Sequence, residues 1–340
     1  MSTYLVTGGA GFIGSSIAEE LLSRGERVRI LDDFSTGRRA NLESMKGRIE
    51  IIEGSVVNPE AVGRAVSGVD VIFHEAAIPS VARSVDNPAA TLLANVQGTT
   101  VLLDGARHAG VRRVIFAASS SAYGDTPTLP KVETMAPTPL SPYAVSKLAC
   151  EHMMRVAASL YGIETLCLRY FNVFGARQDP AGDYSAVIPR FITTLIDGGR
   201  PKIYGDGEQT RDFCYIDNVV GANLLGAAAA GRLSGQVINI ACGATITLNE
   251  LLATLVEEGK RLGAIPQSRV VEAEHLAPRA GDVRASLADI SAARALIGYE
   301  PRVLVAEGLQ RTFAAFYAMS HAARVHRAQE PIPAMTTQMG

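Results

Sequence analysis

Short apolar runs and longer helical patterns alternate along most of this chain, and that alternation constrains its fold more than any other feature. "TYLVTG" (3–8), "RVRILD" (27–32), "IEIIEG" (49–54), "VDVIFHEAA" (69–77), "RRVIFAAS" (112–119), "IETLCLRY" (163–170) and "QVINIA" (236–241) are apolar without a polar alternation. Strands buried on both faces read this way, whereas strands with one wet face alternate. Helical periodicity fills the gaps at 12–24, 58–67, 87–109, 142–161 and 217–230. Buried parallel strands need helical crossovers, so the pattern predicts an α/β fold with a doubly wound parallel sheet of about seven strands.

Beyond Phe171 the rhythm changes. The stretch 175–211 carries Gly, Pro and Asp around one helical pattern, Val187–Ile196, and after Gly243 the strand signal is weak. This reading assigns 1–172 plus about 214–242 to a Rossmann-type domain and about 173–213 plus 243–317 to a smaller C-terminal α/β substrate lobe. Residues 318–340, ending in "PIPAMTTQMG", read as a tail of little order.

Composition narrows the partners. With 47% hydrophobic and 19% charged residues, the chain can pack a core and is not of disordered type. Net charge is −2 and no basic run exceeds a pair such as Arg38-Arg39, so there is no electrostatic case for nucleic acid or a membrane surface. Cys150, Cys167, Cys214 and Cys242 form no CxxC pair and read as buried apolar residues of a reducing compartment. The histidines show no ligand spacing, and no metal is expected. The N-terminus enters a strand at once, leaving no room for a signal peptide, and no apolar run approaches the ~18 residues of a membrane span. The expectation is a cytoplasmic protein.

Three motifs carry chemistry. "VTGGAGFIG" places Gly8, Gly11 and Gly14 between the first strand and the first helix, where missing β-carbons let a pyrophosphate approach a helix N-terminus. Asp32 closes the second strand, 18 residues after Gly14, near the spacing of a carboxylate that holds ribose hydroxyls and repels a 2′-phosphate. NAD is therefore expected over NADP, a preference that the nearby Arg38 and Arg39 weaken a little. "SPYAVSKLACEH" puts Tyr143 and Lys147 one helical turn apart behind a first-turn proline. Tyrosine titrates near ~10, and a neighbouring ammonium favours the phenolate that can act as a base. A lone YxxxK pair is weak evidence. Its combination with the glycine loop and with Ser119 at the end of strand five is not.

With these motifs the chain resembles the extended short-chain dehydrogenase/reductases, specifically the nucleotide-sugar 4-epimerases of the UDP-glucose/UDP-N-acetylglucosamine type, from Tyr4 to about Phe316. The resemblance implies that Ser119, Tyr143 and Lys147 are catalytic. It puts Phe12 and Ile13 against the cofactor pyrophosphate and Asp32, Phe34, Ser35 and Gly37 around the adenosine ribose. Ala76, Ala77 and Ile78 would line the nicotinamide side, Asn95 would steady that wall, and Tyr170 would face the cofactor. Ser55 stands where the family often has an acid reaching adenine, with Val56 beside it; a hydroxyl can still make a bond there, so cofactor affinity is expected to be retained though altered.

On the substrate side the resemblance implies Ser120, Asn172, Val187, Tyr204, Arg211, Arg279 and Asp282 as contacts to a UDP-sugar. Ser286 aligns with a bulky tyrosine of relatives restricted to UDP-glucose and UDP-galactose, which implies room for an N-acetyl group. The implied activity is reversible 4-epimerisation of a UDP-hexose through a 4-keto sugar, with UDP-N-acetylglucosamine first and UDP-glucose second. A UDP-glucuronate 4-epimerase or decarboxylase, and a non-catalytic NAD- or nucleotide-sugar-binding protein, stay open. A 4,6-dehydratase is disfavoured because Ser120 and Ser121 stand where it needs an Asp-Glu pair. The resemblance also implies a homodimer through the helices at 87–109 and 142–161.

Overall fold

The computed structural model describes residues 2–180, 186–278 and 283–329, with side chains to Ala322. Seven strands form one sheet: β1 (Thr3–Thr7), β2 (Arg27–Asp32), β3 (Glu50–Glu53), β4 (Val71–His74), β5 (Arg113–Ser119), β6 (Glu164–Tyr170) and an edge strand, Ser234–Ile240. From that edge the order is edge strand–β6–β5–β4–β1–β2–β3, and every pair is parallel. Chain direction across the sheet reverses between β1 and β4. In such sheets a ligand crevice opens there, outside the carboxyl ends of the strands.

Alternate residues of one strand serve opposite faces, and both faces are covered. Leu5, Ile72, Val114 and Phe116 pack with Val62 and Leu102 on one side. Val6, Phe73, Ile115 and Leu168 pack with Ile17 and Val220 on the other. Burying one such side chain stabilises the fold by about 1.5–3 kcal/mol, which is why continuous apolar runs become central strands. Helices α1 (Phe12–Ser23) and α2 (Pro59–Val66), with the helices Gly98–Ala109, Pro142–Tyr161 and Ile216–Ala228, supply the crossovers.

Several expectations change at their edges. The run 69–77 stops as a strand at His74, because Ala76 N donates to the Thr7 hydroxyl at 3.3 Å instead of continuing the ladder. The pattern at 87–109 is an unbroken helical run with a change of winding inside it. It opens with Pro88–Leu92, widens into a π turn at Leu93–Gln97 and resumes at Gly98. Weak strand signal hid small pairings: Lys202–Tyr204 with Glu274–Leu276, and Thr210–Arg211 with Ile246–Thr247. The last helix runs from Val305 to Gln329, so 318–329 is helical where the composition suggested a tail; 330–340 lie outside the described residues. All four cysteines are free and buried. No described helix is long and apolar enough to cross a membrane.

Candidate active site

A hollow of about 1010 Å³ lies along the carboxyl ends of β1 to β6 and gathers most of the motif residues. Its floor is the glycine loop. Gly8 has φ +67°, and a β-carbon there would come within 2.7 Å of Ala76 N, so only glycine lets the loop close on the chain after β4. Gly11 caps α1 without any side-chain hydrogen bond to the first turn, and Phe12, Ile13 and Gly14 follow on the wall. Amides of a first turn have no partner within the helix, the ordinary arrangement for holding an anion.

Asp32 ends β2 with its carboxylate buried, accepting from Ala10 N and Phe34 N at 2.8 Å each. A β-carbon on Gly37 would fall 2.8 Å from Asp32 Oδ1, so the absence of a side chain there keeps the carboxylate reachable. Burial pushes the Asp32 carboxyl up, partly offset by the two amides. Burial acts the same way on Asp33, but the Ser35 hydroxyl and amide and the Ser55 hydroxyl outweigh it and hold that carboxyl below the usual range.

Arg38 pairs with Asp179 at 3.3 Å, and Arg39 pairs with Glu53 at 2.6 Å while stacking 3.9 Å over the Phe34 ring. Phe34 itself, at φ +57°, carries its ring beneath the Arg39 guanidinium. Two acids with their neighbouring arginines engaged make a poor seat for a 2′-phosphate. NADH should bind about 100-fold more tightly than NADPH, as measured by cofactor fluorescence, since facing like charges cost several kcal/mol.

Ala76, Ala77 and Ile78 form the next wall, with Ser55 and Val56 opposite. Asn95 stands behind it in the π turn. Its Oδ1 accepts from Ile78 N at 2.8 Å and its Nδ2 donates to Ser146 Oγ at 2.9 Å, tying the wall to the helix Pro142–Tyr161. That helix starts where its signals place it, with Ser141 Oγ accepting from Ala144 N and Pro142 in the first turn. Tyr143 lines the hollow. Lys147 is buried one turn on, its Nζ donating to Ala117 O at 2.7 Å and lying 5.9 Å from the Tyr143 ring centroid. Ser119 accepts from Ser121 N and Ser121 Oγ, which leaves its own proton to donate into the hollow. A phenol, a buried cation and a serine thus converge where a hydroxyl could lose a proton.

Past β6, Tyr170, Phe171 and Asn172 carry the wall towards the smaller lobe. Asn172 holds φ +31° and donates to Asp212 O at 2.9 Å and Ser286 Oγ at 3.2 Å. Ser286, Ser120 and Arg211 line the large hollow. Val187 and Tyr204 line a contiguous one of about 510 Å³, which shares Asn172 and Arg211. Arg279 and Asp282 lie outside the described residues. Two acids carry no motif: Glu75, which is partly exposed, and Asp212, which is buried. Glu75 lines the hollow, and Asp212 fastens its rim by accepting from Cys242 N, Gly243 N and Ala288 N. Burial pushes the Asp212 carboxyl up to about 6, against the pull of those amides. Neither has a spacing partner in sequence that could have marked it.

A parallel sheet whose glycine loop, acidic strand end and Tyr–Lys helix open on one hollow defines an enzyme built around a nicotinamide dinucleotide. Residues 4–241 match the model of the NAD dependent epimerase/dehydratase family. A UDP-glucose 4-epimerase of Mycolicibacterium smegmatis is 39% identical over 91% of this chain and 96% of its own. Among solved structures, the UDP-N-acetylglucosamine 4-epimerase from Methanobrevibacter ruminantium, in complex with UDP-N-acetylmuramic acid, superposes with TM-score 0.87 at 35% identity over 94% of this chain and 99% of that one. The UDP-glucose 4-epimerase of Thermotoga maritima with UDP-glucose gives 0.85 at 36% identity over the same shares. The chain belongs to the NAD-dependent epimerase/dehydratase family.

Proposed function

We propose that the protein interconverts UDP-hexoses at C4, with UDP-N-acetylglucosamine and UDP-N-acetylgalactosamine as the preferred pair and UDP-glucose and UDP-galactose as a second. The observation that carries the substrate choice is Ser286, a small side chain on the hollow's wall, drawn back onto Asn172 and Asp212 by its hydrogen bonds. An N-acetyl group at C2 finds volume there that a tyrosine would fill.

Bound NAD supplies what side chains lack, the capacity to hold a hydride from C4 and give it back. The chain's residues do the rest. Tyr143 Oη takes the proton of the 4-hydroxyl, with the Lys147 ammonium beside it stabilising the phenolate, and Ser119 donates to the reacting oxygen. Arg211 and Arg279 hold the diphosphate and Asp282, Tyr204 and Val187 the uridine, so the sugar is free to turn. Closure of the smaller lobe keeps water out. A homodimer through the helices at 87–109 and 142–161 is supported by the exposure of Leu93, Val156 and Leu160 on them. Four free thiols support a reducing, cytoplasmic setting.

The test is incubation of the purified protein with UDP-N-acetylglucosamine, UDP-glucose and UDP-glucuronate, followed by chromatographic resolution of the epimers. The N-acetylated sugar should turn over fastest. Ser286→Tyr should depress its kcat/KM by about 5- to 150-fold while sparing UDP-glucose, in line with the roughly 1–3 kcal/mol that strained packing costs. Faster turnover of the uronate than of either hexose would overturn the substrate assignment, and no epimer from any sugar would overturn the reaction.

A further inference from the structure

We infer that Asn239 is a positioning residue for the sugar: it fastens the turn Ser120–Tyr123 and the strap at Lys131 to the segment that follows Ser286, and so fixes the shape of the hollow where the sugar lies. Asn239 stands on the edge strand and is fully buried. Its side chain meets the Tyr123 hydroxyl at 2.7 Å, Lys131 O at 3.0 Å and Asp289 O at 3.1 Å. Carbonyl oxygens only accept, so the amide NH2 faces both of them and Oδ1 takes the proton of the phenol. The backbone N–H of Asn239 donates to Glu133 Oε1 at 2.7 Å. One buried residue thus joins three segments that are far apart in sequence, with both side-chain donors and the acceptor engaged.

Each segment borders the sugar's place. Ser120, Ser121, Tyr123, Lys131 and Ser286 line the hollow, while Asn239 lies behind them. Lys131 N donates to Leu287 O at 2.7 Å and Asp289 N to Lys131 O at 2.9 Å, so the strap runs alongside the segment after Ser286. That side has anchors of its own, since Ser286 N donates to Thr210 O at 3.1 Å and Ala288 N to Asp212 Oδ2 at 3.2 Å. The Lys131 ammonium turns back on Thr126, within its own loop. Asn239 therefore makes the joint between the Tyr123 turn, which continues from Ser119, and the wall that carries Ser286. Arg211, beside Thr210 and Asp212, belongs to the anchored side.

The cofactor's phosphate seat is remote from this joint. The glycine loop follows β1, four places from the edge strand in the sheet, or about 19 Å at ~4.8 Å per strand. Disturbing Asn239 should thus reach the sugar and spare both the dinucleotide and the uridine diphosphate.

This rests on the proposed placing of the sugar between Ser119 and Ser286. The experiment compares the full-length wild type, Asn239→Asp and Tyr123→Phe. Calorimetry gives Kd for UDP and for UDP-N-acetylglucosamine, fluorescence gives Kd for NADH on protein freed of nucleotide, and epimerisation is followed in parallel. Asn239→Asp sets a carboxylate oxygen against two carbonyls at unchanged size. It should weaken UDP-N-acetylglucosamine by about 20-fold, within the range for buried hydrogen bonds left unmade. UDP and NADH should stay within about twofold, as for independent sites. Tyr123→Phe deletes one bond of the joint and should give the same split at about fivefold. A purely structural asparagine would lower the melting temperature and weaken all three ligands alike. That result, or equal UDP-N-acetylglucosamine affinity in wild type and Asn239→Asp, would overturn the inference. Should Asn239→Asp fail to fold, the Tyr123→Phe split decides alone. The split without any epimer from the wild type would remove the proposed reaction and leave Asn239's role standing; epimer without the split would do the reverse. A wild type that binds no UDP-sugar would overturn both.

Discussion

Replacing Tyr143 with phenylalanine should lower kcat for 4-epimerisation by about 10²–10⁴ while the protein stays folded and retains its NAD. The magnitude is that of removing a positioned proton-transfer group. The substitution deletes one oxygen from the hollow's wall and leaves the helix start untouched, since Ser141 caps it and the first-turn proline precedes the tyrosine. Lys147 keeps its bond to Ala117 O, so the cation stays in place. A drop in kcat with KM nearly unchanged is the signature of a group that acts on the reacting atoms. Comparable loss of cofactor content would instead make Tyr143 a binding residue, and epimerisation within tenfold of wild type would sink the mechanism.

Glu151→Ala should cost about 3–5 kcal/mol of stability, measured by urea denaturation, although Glu151 touches neither hollow. Its carboxylate takes both arms of Arg169, from Nε at 2.8 Å and Nη2 at 2.7 Å, and neither side chain exceeds 4% exposure. Truncating the acid leaves a guanidinium buried over the Tyr123 ring with its counter-charge gone. Removing both charges in Glu151→Leu with Arg169→Leu should recover most of the loss, because desolvation of the pair offsets much of its attraction. The pair also joins β6, which leads into Tyr170 and Asn172, to the helix that carries Tyr143 and Lys147. Glu151→Ala should therefore weaken turnover at temperatures where the protein is still folded.

What could be read from the chain beforehand divides along physical lines. The strands were legible because burial on both faces leaves no polar alternation, and the helix at Pro142 because cap, proline and periodicity agree. Asp32 and the Tyr143–Lys147 pair were legible because their chemistry requires a fixed spacing along the chain. Pairings made by folding left no such trace. Glu75 with Tyr170 and Asn172 with Ser286 are separated in sequence by 95 and 114 positions, so no local pattern joins them.

The anchoring at Asp212 bears on any attempt to graft specificity from one relative to another. Its two oxygens tether residues 242, 243 and 288, so the segment around Asp212 is tied to two further stretches of chain. A transplant that exchanged only the segment around Arg211 would strand three amides or clash with foreign ones. Chimaeras in which all three stretches travel together have the better prospect of keeping their rim, and point changes such as Ser286→Tyr are the gentler instrument.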